Sequence, residues 1–349
     1  MGISSERYRF GNLKKGPLDL ITDVPGVKVG HVTLSEGPVQ TGVTAVIPGE
    51  GSAFRSKFPA AVHVINGFGK SAGLMQVEEL GTLETPVLLT NTLSVAACLD
   101  GLVTWMLKDH PEIGTTAGTV NGVVTECNDG FLNDIRGRHV KPEHALQALE
   151  QAGTVFAEGA VGAGRGMKCY GWKGGIGSAS RIVTFDGKDY TVGALLLTNF
   201  GRKQQLTVCG KHIGEEQIPA ESPEGVCAES ESAEERDSGS CIILLATDLP
   251  LSSRQLKRCT HRAQNGLART GAQTGGGSGE VVLMFSAANR IPHDSERDFL
   301  NTVILQEDRL DTVFTAVADV VEESLVSSLM HAETVTGREG HCLESLVRT

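Results

Sequence analysis

The sequence predicts a mixed α/β protein in which two sheets lie between layers of helix. Three observations carry this reading. Apolar, β-branched runs alternate with helical patterns along the 349 residues. Several connections between them are too short for the right-handed crossovers of a doubly wound parallel sheet, and both ends of the chain contribute strands. With 40% hydrophobic residues the chain can bury a substantial core. No solenoid-type repeat is visible.

Residues 21–34 (ITDVPGVKVGHVTL) alternate β-branched residues with Pro and Gly, as strands joined by tight turns do. His31 reads as structural there. Runs at 60–66 (AAVHVIN) and 86–91 (PVLLTN) each lead into a helical pattern, first 71–80, closed by Gly81, then 94–108; Ser71 and Ser94 have N-cap chemistry. Residues 122–137 (GVVTECNDGFLNDIRG) crowd Glu126, Asp129 and Asp134 into one short stretch. A helix with Pro142 in its first turn is expected to reach about Glu158. The loop 158–181 holds eight glycines but neither a P-loop nor a clear dinucleotide fingerprint, so close packing against a sheet or subunit is favoured over an anion cradle. Residues 190–199 (YTVGALLLTN) read as a buried strand, and a polar side chain leaving its end, Asn199, is well placed to face a site.

From 210 to 239 the composition turns to Glu, Ser and Pro with little periodicity. That stretch ends at Asp237-Ser238-Gly239-Ser240-Cys241, and the apolar run 242–248 (IILLATD) follows at once. Ser240 therefore sits at the mouth of a core strand. A cut before it would leave an α-amino group beside its own hydroxyl, and such an amine, with a pKa of roughly 7.7–8.0, is a usable base at neutral pH. The plainer reading of Gly-Ser before a strand is a turn. Next comes a helix with Leu256, Cys259, Ala263 and Leu267 on one face, closed by Gly271, then a Gly-rich turn that puts Ser278 and Glu280 on one side of an extended chain. A core strand at 281–285 and a last helix, with Phe314, Val317, Val321, Leu325 and Leu329 on one face, complete the order.

A net charge of −11 without any compensating Lys or Arg run excludes a nucleic-acid partner. Eight scattered cysteines with no C-x-x-C read as reduced thiols of a cytoplasmic protein. No apolar run approaches membrane-spanning length, the first ten residues lack a signal-peptide core, and Glu6 breaks the myristoylation pattern. The ten histidines include no close ligand pair, so a metal site has no sequence support; no cofactor is expected.

The segments TDVPGVKVGH, PVLLTNTLSV, ECNDGFLNDIRG, EGAVGAGRGM, KGGIGSASR, the GS, IILLATD and PL junction, GLARTG, SGEVVLMFSAAN and AETVTGREGH resemble, in order, those of the self-processing serine aminopeptidases. That family is typified by L-aminopeptidase D-amidase/D-esterase and the β-peptidyl aminopeptidases. The resemblance covers nearly the whole chain. It implies a four-layer α-β-β-α sandwich similar to N-terminal-nucleophile hydrolases but with different connectivity. It also implies one catalytic domain, residues 1–349, cut between Gly239 and Ser240 into an α chain 1–239, with an acidic leader at about 210–239, and a β chain 240–349.

By the same resemblance Ser240 is the nucleophile and its freed amine the base. Ser278 and Glu280, 278 − 240 = 38 and 280 − 240 = 40 residues on, form the supporting polar network. Asn199 belongs to the oxyanion hole, and Glu126 binds the substrate's α- or β-ammonium. The implied substrates are small peptides, amino-acid amides or esters, the implied assembly is a tetramer of processed heterodimers, and L-α, D-α and β residues all stay open. Asn128, Arg165 and Cys241 depart from the common family pattern and bear on substrate preference. Two other readings stand beside this one: an acyltransferase of the ornithine acetyltransferase type, which generally uses threonine, and a non-catalytic binding protein that keeps the fold.

Overall fold

The computed structural model describes residues 8–213 and 239–347. Most of the acidic stretch expected as a leader, residues 214–238, lies outside them. Strands β1 (Lys28–Glu36) and β2 (Val39–Ile47) form a hairpin, followed by β3 (Ser56–Gly67), β4 (Val87–Asn91) and β5 (Val123–Cys127). After the Gly-rich loop come β6 (Ile176–Phe185), β7 (Lys188–Asn199), β8 (Ser240–Thr247) and β9 (Gly279–Ser286). One sheet has the order β1-β2-β4-β5. The other runs β3-β9-β8-β7-β6, with the short strands Thr82–Leu83 and Ile291–Pro292 also paired to β3. The β4/β5 and β8/β9 pairs are parallel, and the other main pairs are antiparallel.

The unbroken apolar runs have a simple cause. Successive side chains of a strand point to opposite faces, and both faces of the second sheet are covered. Leu195, Leu197, Ile242, Leu244 and Leu283 meet Val46, Val87, Leu89 and Val123 of the first sheet. The alternate residues Ala194, Leu196, Ile243, Leu245, Val282 and Met284 pack under helices α4 (Ser253–Thr260), α5 (Ala263–Arg269) and α6 (Leu310–Met330) through Leu256, Leu267 and Val317. Two further helices, α2 (Val95–Asp109) and α3 (Pro142–Glu150), cover the outer face of the first sheet, where Cys98, Leu102 and Ala148 meet Val43, Ala45, Leu88 and Val124. The result is the expected sequence of helix, sheet, sheet and helix layers.

Several boundaries differ from the sequence reading. Residues 21–23 form one 3-10 turn before β1. Helix α3 stops at Glu150, not near 158, because Gly153 exchanges backbone hydrogen bonds of 2.9 and 3.0 Å with Val29 and so joins the edge of β1. The single helix expected to close at Gly271 is two, broken at His261 and Arg262. Helix α1 (Leu74–Leu80) has Gly73, not Ser71, at its N-cap. Ser94 holds the N-cap position of α2 without a capping bond from its hydroxyl.

The glycine loop packs closely, as expected. A Cβ on Gly177 would lie 1.9 Å from the Ser324 carbonyl oxygen of α6. His31 is structural, with Nδ1 2.9 Å from Thr44 Oγ1, Nε2 3.1 Å from the Ala157 carbonyl, and a pKa pulled down to about 4 by burial. Cys98, Cys127, Cys169, Cys209, Cys241 and Cys259 are free thiols, but Cys342 is disulfide-bonded, which corrects the expectation of eight reduced thiols. Cys227 lies outside the described residues. Among those residues no helix is long and apolar enough to cross a membrane.

Helix α6 is tied to β6 by charge as well as by apolar contact. Arg181 on β6 is fully buried and pairs with Glu323 of α6, while its guanidinium also donates to the carbonyls of Phe10 (2.7 Å) and Ser180 (2.8 Å). Removing Glu323 leaves the buried guanidinium only the more distant Asp19 carboxylate, at 3.5 Å, and breaking a buried pair in this way is costly. Glu323→Ala should therefore lower the unfolding free energy by about 3–5 kcal/mol, measured by urea denaturation; a change under about 1 kcal/mol would show that the pair does not fasten this helix.

Candidate active site

Three strand ends meet at Ser240. It is the first residue of β8, and its ladder partners are Asn199, the last residue of β7, and Gly279, the first residue of β9. The apolar runs that make these strands therefore also deliver their polar end residues to one place. The serine is only 6% exposed and Asn199 9%, so the polar groups here act largely out of bulk water.

The bond between Gly239 and Ser240 is held in a defined pose. Ser240 Oγ donates to the Gly239 carbonyl oxygen at 2.7 Å, and the backbone N–H of Gly279 donates to the same oxygen at 3.1 Å. A serine hydroxyl thus lies against the carbonyl that precedes it, while a second donor polarises that carbonyl from the neighbouring strand.

Ser278 and Glu280 flank Gly279. Both are buried, and the Ser278 hydroxyl donates to Glu280 Oε1, which leaves the serine oxygen free to act as an acceptor. The ladder between β9 and β3 pairs Glu280 with Asn66 and then shifts register, passing over Ile65 of β3. Asn66 Nδ2 in turn donates to the Ser278 carbonyl. Cys241, the next residue after Ser240, is fully buried, and burial together with Glu280 pushes its thiol well above the usual range. It stays protonated and offers no rival nucleophile.

The Asn199 side-chain amide is fixed at both ends. Its Oδ1 accepts from the Lys168 backbone N–H at 2.9 Å, and its Nδ2 donates to the Asn128 carbonyl at 2.9 Å. That uses one of its two N–H bonds. The Asn128 link also joins the two sheets, since Asn128 directly follows β5.

Glu126, the fourth residue of β5, comes from the other sheet and is 4% exposed. Its Oε1 accepts from the Lys70 backbone N–H at 2.8 Å, and its Oε2 accepts from the Thr92 hydroxyl. Neither Arg136 nor Arg138 pairs with it. The other acids of this segment turn elsewhere. Asp129 is buried against Asn133, with its carboxyl pushed up to about 7 by burial, and Asp134 pairs with His139 at 3.1 Å. Of the three crowded acids, then, only Glu126 meets the loop beside Ser240: Gly69 lies against its carboxylate, and Phe68 donates its N–H to the Ser278 carbonyl.

Sequence reading missed the backbone donors of Gly279, Lys168 and Lys70, and the Thr92 hydroxyl. Nothing in the side chains marks a backbone N–H as special. Thr92 had one usable signal, as a hydroxyl residue directly after the buried β4 strand. Among the described residues no group of three or more His, Cys, Asp or Glu could hold a metal ion.

The chain is similar to known proteins over nearly its whole length. The pattern of peptidase family S58 matches residues 19–343. The β-peptidyl aminopeptidase BapA of Sphingosinicella microcystinivorans is 39% identical over 347 residues, covering 95% of this chain and 86% of that one. A crystal structure of a Pyrococcus horikoshii protein superposes with a TM-score of 0.91 at 46% identity, covering 99% and 96% of the two chains. The L-aminopeptidase D-Ala-esterase/amidase of Ochrobactrum anthropi, described as a prototype of the serine aminopeptidases and a variant of the Ntn hydrolase fold, superposes at 0.86 with 34% identity, covering 96% and 93%. The chain belongs to peptidase family S58, and the hydrolase class and the layered fold read from its sequence stand with that membership.

The junction is also sterically closed. A Cβ on Gly239 would lie 2.4 Å from Phe200 Cβ and 2.6 Å from the Asn199 carbonyl oxygen, neither of which can rotate away. In a Ser240→Ala background, where the hydroxyl plays no part, Gly239→Ala should lower the unfolding free energy by about 1–3 kcal/mol. Unchanged stability would show that residue 239 is not pressed against β7.

Proposed function

We propose that this member of family S58 cuts its own chain between Gly239 and Ser240 and then works as an N-terminal-serine aminopeptidase on small peptides, amides or esters with a free amine. The observation that carries the reading is the grip on the Gly239 carbonyl by Ser240 Oγ and the Gly279 N–H. In the cut, Ser240 Oγ attacks the Gly239 carbonyl carbon while the Gly279 N–H holds the oxygen that becomes negative. The Oγ–C bond forms, the C–N bond breaks, and the Oγ proton ends on the Ser240 nitrogen by way of the Ser278 and Glu280 pair. Water then hydrolyses the ester and frees the Gly239 carboxyl, the Ser240 hydroxyl and the Ser240 amine.

Turnover reuses the same parts. With the Gly239 carbonyl gone, the Gly279 N–H and the second Nδ2–H of Asn199 are available to a substrate oxyanion, where one aimed donor is worth about 2.7–4 kcal/mol. The new amine takes the Oγ proton, the serine attacks, and the leaving amine receives that proton. Water discharges the acyl-enzyme by the reverse route. A carboxylate in a buried pocket is the natural partner of an ammonium, which would be costly to bury alone. Glu126 has that burial, and two fixed donors set its direction. The β-peptidyl activity of one relative and the L-amino-acid activity of another support an amine-bearing substrate of either geometry. A homo-oligomer in the cytoplasm is the setting that resemblance and composition support.

Under this reading N-acetylated substrates are inert. Glu126→Gln should lower kcat/KM for free-amine substrates about 10- to 150-fold, the equivalent of the 1.5–3 kcal/mol of a charge-assisted hydrogen bond, mainly through KM. Steady-state kinetics on matched free and acetylated substrates check this. Equal cleavage of both by the wild type would replace the aminopeptidase with a general amidase.

A further inference from the structure

Lys173 is a fully buried lysine to which the chemistry above gives no part. It lies on a small hairpin, Lys168–Cys169 paired with Trp172–Lys173, that rests on the end of β7 through a 2.7 Å hydrogen bond from the Tyr170 N–H to the Phe200 carbonyl. Its Nζ donates to three backbone carbonyls, Gly164 at 2.8 Å, Met167 at 2.9 Å and Gly174 at 2.7 Å. Serving three acceptors takes three N–H bonds, so this geometry is that of the ammonium and not of the neutral amine. Burial and the nearby Arg165 work against the charge and pull its pKa well below the usual lysine value. The three carbonyls oppose that shift, and without the ammonium they would lose a donor inside the protein.

One of these carbonyls leads straight to Asn199. The Met167 carbonyl and the Lys168 N–H belong to a single peptide group, and in a planar trans peptide they point in opposite directions. The carbonyl is held by the Lys173 ammonium at 2.9 Å and more loosely by the Gly174 N–H at 3.2 Å, and the N–H is the donor to Asn199 Oδ1. Gripping the oxygen end fixes the tilt of the peptide plane, and a positive charge there polarises the group and strengthens its N–H as a donor. The Asn199 amide is thereby locked with oxygen toward Lys168 and nitrogen toward Asn128, the orientation that leaves its remaining N–H for another acceptor.

We propose that Lys173 is a positioning residue for the Asn199 amide, acting through the peptide group between Met167 and Lys168. This rests on Asn199 as an oxyanion donor in the reading above. A Lys173→Met enzyme keeps the length and apolar stem of the side chain and loses the ammonium. Its kcat should fall about 10- to 100-fold, part of the 10²–10³ that a lost oxyanion donor costs, with KM little changed.

The decisive experiment is a double-mutant cycle with Asn199→Ala. Once Asn199 is gone its orientation no longer matters, so Lys173→Met should leave the kcat of the Asn199→Ala enzyme unchanged within about twofold. The same fold-loss in both backgrounds would mean that Lys173 merely supports the loop, and would overturn the proposal while leaving the role of Asn199 intact. An Asn199→Ala enzyme with wild-type kcat would overturn that role and the proposal with it. If Lys173→Met does not fold, ¹⁵N-lysine-labelled enzyme gives the answer without touching Lys173. Its ζ-ammonium resonance should move when Asn199 is replaced by alanine, and an unmoved resonance would overturn the coupling.

Discussion

The structure depends on a register. Asn199, Ser240 and Gly279 occupy matching ladder positions at the ends of three adjacent strands. A slip of one residue in any of them would turn a polar end group to the opposite face of the sheet and drive the alternate apolar set out of its layer. Because both faces of this sheet are buried, both sets resist the slip. The apolar core thus fixes the geometry of the polar site.

That arrangement brings polar groups into a region where unpaired ones are costly, and the surrounding contacts answer the cost one by one. The Ser278 hydroxyl is given to Glu280, both ends of the Asn199 amide are held, and each Glu126 oxygen has a donor. Much of this holding is done by main-chain groups and by residues of the glycine loop. The loop's glycines let the chain pass close to β2, β7 and α6, and the buried Lys173 ammonium gathers the carbonyls that this close path turns inward.

The sequence made the long elements legible because their cause is local. Residues 190–199 are nearly continuous in apolar side chains, and 242–246 and 281–285 are apolar throughout, as strands covered on both faces are; Asn199 closes the first run, and Ser240 and Glu280 lie just before the other two. What it hid was decided by tertiary contact. Helix α3 looked longer than it is because nothing in residues 151–158 announces that Gly153 will join β1. Ser94 has the chemistry of a cap, but its hydroxyl does not make the bond. The three acids of residues 122–137 could not be told apart by spacing, and only the fold shows that Asp129 turns toward Asn133 while Glu126 meets the loop beside Ser240. Family resemblance supplied the roles; the backbone donors around them could be found only in the folded chain.

The contact of Ser240 Oγ with the Gly239 carbonyl is, in this account, a reaction poised to occur. Denaturing mass spectrometry under reducing conditions, on freshly purified wild-type and Ser240→Ala proteins, tests it most directly. The account predicts two wild-type polypeptides, of 239 and 349 − 239 = 110 residues, the second beginning with Ser240, and one intact 349-residue chain from the variant. An intact wild-type chain with full hydrolase activity, or the same two fragments from the Ser240→Ala protein, would contradict it.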